Sequence, residues 1–316
     1  MNNRANIPPA MINTLYKRFL AVEEPNLIHG VTATYQTLPK GGGLYMTWRR
    51  YEKFGLALDD LGITGQDPAP RDLEINDYSA QVKYYGLYAN IQEQLEIQNQ
   101  ESVLNIFAER LGISMRESED VLIRDRMATT MNVMNCTKGG NAQVPTEITR
   151  DDIVRMTQVL IRNSAKFISR GVDGADRYGS GPVRDAFFAL ANTDIIPDLE
   201  NCDGFQARWN YSYPDKALES EWGAVRNIRV LVSPFGYKRE NASSTGQTVY
   251  SVFFPTIESY GIVDQSGTSS QLIYTAPNVN SRLNLYASLG YKFTHATQIF
   301  KDVWLGRLDC TIYAGV

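Results

Sequence analysis

Residues 44–91 place the strongest constraint on what this chain can fold into. The segment holds two strand-like runs, each about a dozen residues long, around a connector rich in Gly, Pro and Asp. Strands in globular domains usually run to ~5–6 residues. At ~3.3 Å per residue, 47–58 alone reaches on the order of 40 Å. A hairpin of that length carries too little chain of its own to pack against, so it calls for a partner, and a second copy of the same chain is the simplest one. Its second strand changes phase: Leu73 and Ile75 are apolar at odd positions, whereas Tyr78, Ala80, Val82 and Tyr84 are apolar at even ones. A one-residue slip moves the apolar set to the other face. A bulge or a change of packing partner is therefore expected near Asn76 and Asp77, with one face buried towards the tip and the other towards the base.

Around the hairpin the pattern is mixed. Residues 1–43 read as an irregular N-terminal arm, broken by Pro39 and Gly41–Gly43. Val103, Leu104, Phe107 and Leu111 follow helical spacing up to Gly112, a natural stop or kink. Ser114 and Glu117 then match a capping box, and Val121, Leu122, Ala128 and Met131 continue the stripe. Two helices, or one kinked helix, are expected over 99–135. The polar run 136–145 is the best candidate boundary. A helix led by Thr149 follows, with Ile153, Met156, Leu160 and Phe167 on one face. Residues 171–182 read as a loop, 183–190 as a strand and 194–201 as a short helix. Further strands are expected at Ile228–Ser233, Val249–Phe254 and 271–274, with two long strands over 283–300 and 303–312. The fold class is α+β.

Composition narrows the function. A net charge of −4 argues against a dedicated nucleic-acid binder, and the lack of an 18-residue apolar run argues against a membrane span. The three cysteines, Cys136, Cys202 and Cys310, suit reduced thiols. His29 and His295 are too few and too distant for the common zinc patterns, and both read as structural. Pro39–Gly43 lacks the ending of a phosphate loop. Asp59 and Asp60 fall at the hairpin tip, and Asp151 and Asp152 at a helix start, where the macrodipole accounts for them. No catalytic residues, cofactor site or metal site are assigned, and the chain is not expected to be an enzyme.

The run Trp48-Arg49-Arg50-Tyr51-Glu52-Lys53 has three readings. It can bind nucleic acid through phosphates and stacking. Its arginines can pair across the hairpin with Glu74 or Asp77. It can make ion pairs between subunits, which the hairpin's length favours. Trp48, Arg49, Arg50, Tyr51, Lys53, Asp60, Asp67 and Arg71 form the candidate intersubunit set.

In order and spacing, several motifs together resemble a known family. They are MTWRRYEKFGLAL with the tip LGITGQDPAP, VKYYGLYANIQEQLEIQNQESVLNIFAERLG, VRDAFFALANTDIIPDLEN, SEWGAVRNIRVLVSP and ASLGYKFTHATQIFKDVWLGRLDC. They cover most of residues 30–312 and are similar to tailed-phage major capsid proteins of the Hong Kong 97-like fold, in particular the short-tailed coliphage type. The resemblance implies an N-arm (1–43), an E-loop (44–91), a peripheral domain with a spine helix (92–145), an axial domain (146–282) and return strands of the peripheral domain (283–316). It implies hexamers and pentamers closing an icosahedral shell around double-stranded phage DNA. The implied location is the virion, after assembly in the host cytoplasm. The implied partners are the chain itself, a portal protein, a cement, decoration or scaffolding protein, and DNA held non-specifically on the inner face; no membrane is implied. At the tip, where relatives often carry Glu-Gly, this chain has Gly62-Ile63-Thr64-Gly65-Gln66. An encapsulin-like nanocompartment shell shares the fold, and an unrecognised cytosolic α/β enzyme is the rival outside it.

Overall fold

The computed structural model describes residues 27–54, 56, 70–92, 103–138, 144–168, 186–211, 217–244, 246–266, 270–277, 283 and 285–312. In chain order the elements begin with β1 (Thr34–Leu38), β2 (Tyr45–Tyr51), β3 (Ile75–Gln81) and β4 (Lys83–Gln92). The helix α1 (Val103–Met127), β5 (Val133–Asn135) and the helix α2 (Arg150–Arg162) follow. Next come β6 (Phe187–Asn192), the short helix α3 (Ile196–Glu200), β7 (Phe205–Ala207), β8 (Glu221–Val225), β9 (Ile228–Ser233) and β10 (Lys238–Arg239). The chain ends with β11 (Val249–Phe254), β12 (Tyr260–Gln265), β13 (Ser270–Thr275), β14 (Tyr286–Ile299) and β15 (Gly306–Cys310).

These strands form three sheets. The largest has eight strands in the order β5-β15-β11-β6-β9-β8-β7, with β10 on β11. Every residue of β6, β9 and β11 is buried. Strands buried along their whole length need cover on both faces. One face carries Phe187, Ala189 and Val230 against Ile153, Met156 and Leu160 of α2. The other carries Phe188, Leu190, Leu231 and Phe253 against Ile123 and Met127 of α1. The second sheet has five strands, β1-β12-β14-β13 with β4 also on β14. The first half of α1 lies on it, packing Leu104, Ala108, Leu111 and Met115 against Leu289, Tyr291 and Phe293. At ~1.5 Å per residue, α1 is a ~37 Å strut that belongs to two cores at once.

That double packing explains the departures in the helical region. Val103–Met127 is one helix, not two. Gly112 is buried inside it, and the ~1 kcal/mol helix penalty of a glycine is small beside two cores' worth of burial. Ser114 starts no helix; its hydroxyl meets the Tyr291 hydroxyl at 3.2 Å. Met131 lies beyond the helix and is 86 % exposed, so the stripe ends at Ala128, which still packs against the core beside Met127.

The N-terminal region is also more ordered than its sequence suggests. From Leu27 onward it is docked: Ile28 and His29 are fully buried, and β1 pairs in parallel with β12, Thr34 opposite Gly261. Residues 1–26, which hold the rest of the expected arm, lie outside the described residues, as do 99–102 and the loop at 171–182. The two terminal strands divide between sheets. β14 joins the five-stranded sheet, and β15 pairs with β11 in the eight-stranded one. The strand expected at 303–312 is shortened to Gly306–Cys310, because a 3-10 turn occupies Asp302–Trp304.

Candidate intersubunit surface

The hairpin is an antiparallel two-stranded ribbon, β2 on β3, with Met46 opposite Ala80, Trp48 opposite Tyr78 and Arg50 opposite Asn76. Its ladder runs unbroken from 75 to 81. The expected bulge at Asn76–Asp77 is therefore absent. The change of partner falls at Val82, where the chain leaves β2 and begins the ten-residue ladder of β4 on β14. Val82 donates its amide to the Leu44 carbonyl at 2.9 Å and is itself buried. One buried pivot residue lets both strands keep a regular ladder, which a bulge at 76–77 would have broken.

Period two divides the candidate residues into two faces. The inner face packs onto the molecule's own body. Met46 and Trp48 join a cluster with Leu38, Ala80, Val82, Val263 and Ala296. Trp48 lies 5.0 Å from the Phe300 ring, and Tyr78 lies 6.2 Å from it. Phe300 can sit there because residue 261 is glycine; a Cβ at that position would stand 2.4 Å from the ring. The Arg50 guanidinium lies 4.1 Å over the Trp304 ring, with Glu52 at 3.4 Å. Lys301 approaches the same ring at 4.9 Å, and Trp304 donates its indole N–H to the Asn163 carbonyl at 2.9 Å. Along this seam runs a groove of about 790 Å³ whose walls include Arg50, Lys166, Glu258 and Lys301. The described part of the arm thus has a partner within its own chain.

The outer face is different. Arg49 makes a two-pronged ion pair with Asp77, at 2.9 and 3.0 Å. This is the cross-hairpin pairing, and it raises the guanidinium pKa while holding the Asp77 carboxyl below its usual range. Both groups are exposed, so the pair contributes little to stability. Around it Tyr45, Tyr51 and Ile75 remain 62, 58 and 48 % exposed, with Phe54, Leu56 and Leu73 also in solvent. Strand β4 also exposes apolar residues, Tyr84 and Tyr88 on one face and Leu87 on the other. The phase change read in the sequence therefore marks a real division, with apolar residues of the tip-proximal stretch directed outward.

The remaining candidates scatter. Lys53 is exposed, and Arg71 donates to the Leu56 carbonyl at 3.1 Å. Asp60 and Asp67 lie outside the described residues, as do Asp59 and the tip sequence 62–66. Of the paired carboxylates at the second helix, Asp152 is buried and accepts hydrogen bonds from the Thr137 amide and the Thr149 hydroxyl. His29 docks the N-terminal segment on α1: its amide and ring Nδ1 both meet the Asp120 carboxylate, at 2.9 and 2.6 Å. The partners of the inner face, Phe300, Lys301 and Trp304, were not legible as such. They lie some 250 residues away, and the only signal was their aromatic and basic character.

No protein-family model matches the chain, and no curated protein sequence does. Solved structures do match. The capsid of Ralstonia phage GP4 superposes with a TM-score of 0.63 at 9 % identity, over 96 % of this chain and 92 % of that one. The cyanophage Pam1 capsid asymmetric unit gives 0.62 at 13 % identity, over 100 % and 96 %. The capsid of cyanophage P-SCSP1u gives 0.61 at 11 % identity, over 93 % and 91 %. The chain has the Hong Kong 97-like capsid fold. The α+β class expected from the sequence holds. The coverage is nearly complete in both directions, so the fold of these capsid chains is reproduced from the docked N-terminal strand to β15. Among the described residues no helix is long and apolar enough to cross a membrane.

Proposed function

We propose that this chain is the major capsid protein of a tailed phage. It assembles with itself into hexamers and pentamers of an icosahedral shell that encloses double-stranded DNA. The observation that carries the reading is the outward face of the hairpin on a capsid fold, where Tyr45, Tyr51, Leu73 and Ile75 are exposed and uncovered by the described residues of their own chain. Exposed apolar strips of this kind mark protein–protein contacts. In this reading residues 44–91 are the E-loop, which lays its outer face on a neighbour while Trp48 and Arg50 hold its inner face to the body. The helix α1 is the spine of the peripheral domain, and the region 146–282 builds most of the axial domain. The return strand β15 ties the two together through β11. The role is binding, not catalysis. Each contact is modest, and the closed shell is held by many of them acting together. Portal, decoration or scaffolding proteins and non-specifically held DNA are the further partners, and the virion is the destination after assembly in the host cytoplasm.

Negative-stain electron microscopy of the purified full-length chain tests this directly: closed icosahedral shells are expected, and a protein that stays monomeric or dimeric under all assembly conditions refutes it. Deleting residues 59–71 should leave a folded protein that cannot close shells. Normal shells from that deletion would remove the E-loop assignment while leaving the capsid reading intact.

A further inference from the structure

A second constellation lies away from the hairpin, where α1 crosses the five-stranded sheet. Glu119 of α1, Asp264 of β12 and His295 of β14 bring one oxygen, one oxygen and one nitrogen within 4.8 Å of one another. We propose that these three side chains bind a divalent transition-metal cation of the Zn²⁺ type, clamping the spine helix to β12 and β14.

The geometry of His295 carries the proposal. The residue is 97 % buried, being 3 % exposed. Its Nε2 is engaged by the Thr297 hydroxyl at 2.6 Å, whereas its Nδ1 has no hydrogen-bond partner among the described residues and faces Glu119 Oε1 at 3.9 Å. In the tautomer whose Nε2–H donates to Thr297, Nδ1 presents a lone pair towards the Glu119 carboxylate. A cation placed between these two acceptor atoms would be held by both. A metal-bound imidazole has this arrangement: one nitrogen on the ion, the other fixed by an outer partner. The neighbouring positive charge does not balance the set. Arg116 reaches Glu119 Oε2 at 3.6 Å and is itself half exposed, so one guanidinium on the solvent side faces two carboxylates.

One imidazole with two carboxylates is a donor set for Zn²⁺ or a similar first-row ion, leaving a position for water. It falls short of the six to eight oxygens that Ca²⁺ takes. Glu119 and Asp264 line an open cavity of about 430 Å³ with Tyr35 and Arg116, and His295 lines a separate cavity of about 380 Å³.

The test is equilibrium dialysis of chelator-treated full-length protein against Zn²⁺, with Co²⁺ as an absorbing probe of the coordination sphere. One Zn²⁺ per chain is expected, with little competition from Ca²⁺. H295Q and D264N should each weaken uptake by at least the ~10–100-fold seen when an outer-shell partner is lost. T297A should weaken it less, and T297S should restore it. Zn²⁺ should raise the melting temperature of the parent and not of H295Q. D264N repeats the test should H295Q fail to fold. No uptake, or uptake that H295Q, D264N and T297A leave unchanged, overturns the site, whether or not the protein builds shells.

Discussion

The inner face of the hairpin gives a quantitative prediction about how the arm is held. Trp48→Ala removes an aromatic pair with Phe300, worth ~0.5–1.5 kcal/mol beyond its buried area, together with part of the apolar burial of a largely covered indole. About 2 kcal/mol is expected. Arg50→Ala removes the guanidinium over Trp304 at 4.1 Å, worth about 1 kcal/mol at a partly exposed site. Together they weaken docking by about 3 kcal/mol, roughly two decades in the undocked population. An undocked ribbon of two strands is marginal in water, so its ladder should fray once released. Hydrogen exchange measured on unassembled protein should therefore show β2–β3 amides losing about 100-fold of protection. Amides of β11 and β15, in a separate core, should keep theirs. Equal loss in both regions would mean that the hairpin is no independent unit. Unchanged hairpin protection would mean that Trp48 and Arg50 do not hold it, and either result refutes the reasoning.

Two further predictions concern the body. Arg229 and Glu221 form a fully buried ion pair at 2.6 Å, with the Tyr211 hydroxyl also donating to Glu221. R229M should cost about 3 kcal/mol in denaturant unfolding by stranding the carboxylate, whereas E221Q/R229M, which removes both charges and keeps an acceptor for Tyr211, should recover most of it. The three cysteines are free and buried. Burial raises the Cys136 thiol, and it raises Cys202 to about 11. A raised thiol pKa means less thiolate at any given pH, about one part in a thousand for Cys202 at pH 8. Ellman's reagent at pH 8 should therefore find almost no thiol in the native protein and three after unfolding.

Local pattern carried much of this fold. The strand-like run after residue 44, the strands at Ile228–Ser233 and Val249–Phe254, and the long strand within 283–300 are properties of neighbouring residues, and they survive folding because burial rewards them directly. The strip of outward apolar residues beside the hairpin was visible as a change of phase. The ordered motifs were enough to point to a capsid-type fold before any strand was paired.

Pairing itself belonged to the tertiary structure. Periodicity says that a residue faces something, not what it faces, and closing a long loop costs little more than closing a short one. So the chain could not announce that Thr34–Leu38 lies beside Tyr260–Gln265, that Phe300 and Trp304 receive Trp48 and Arg50, or that one helix runs through Gly112 because two cores hold it. The same holds for Glu119, Asp264 and His295. Each is unremarkable on its own element, and the histidine read as structural. Only the crossing of α1 over β12 and β14 brings three donor atoms together, because donor sets are defined by distances of a few ångströms that spacing along the chain does not encode.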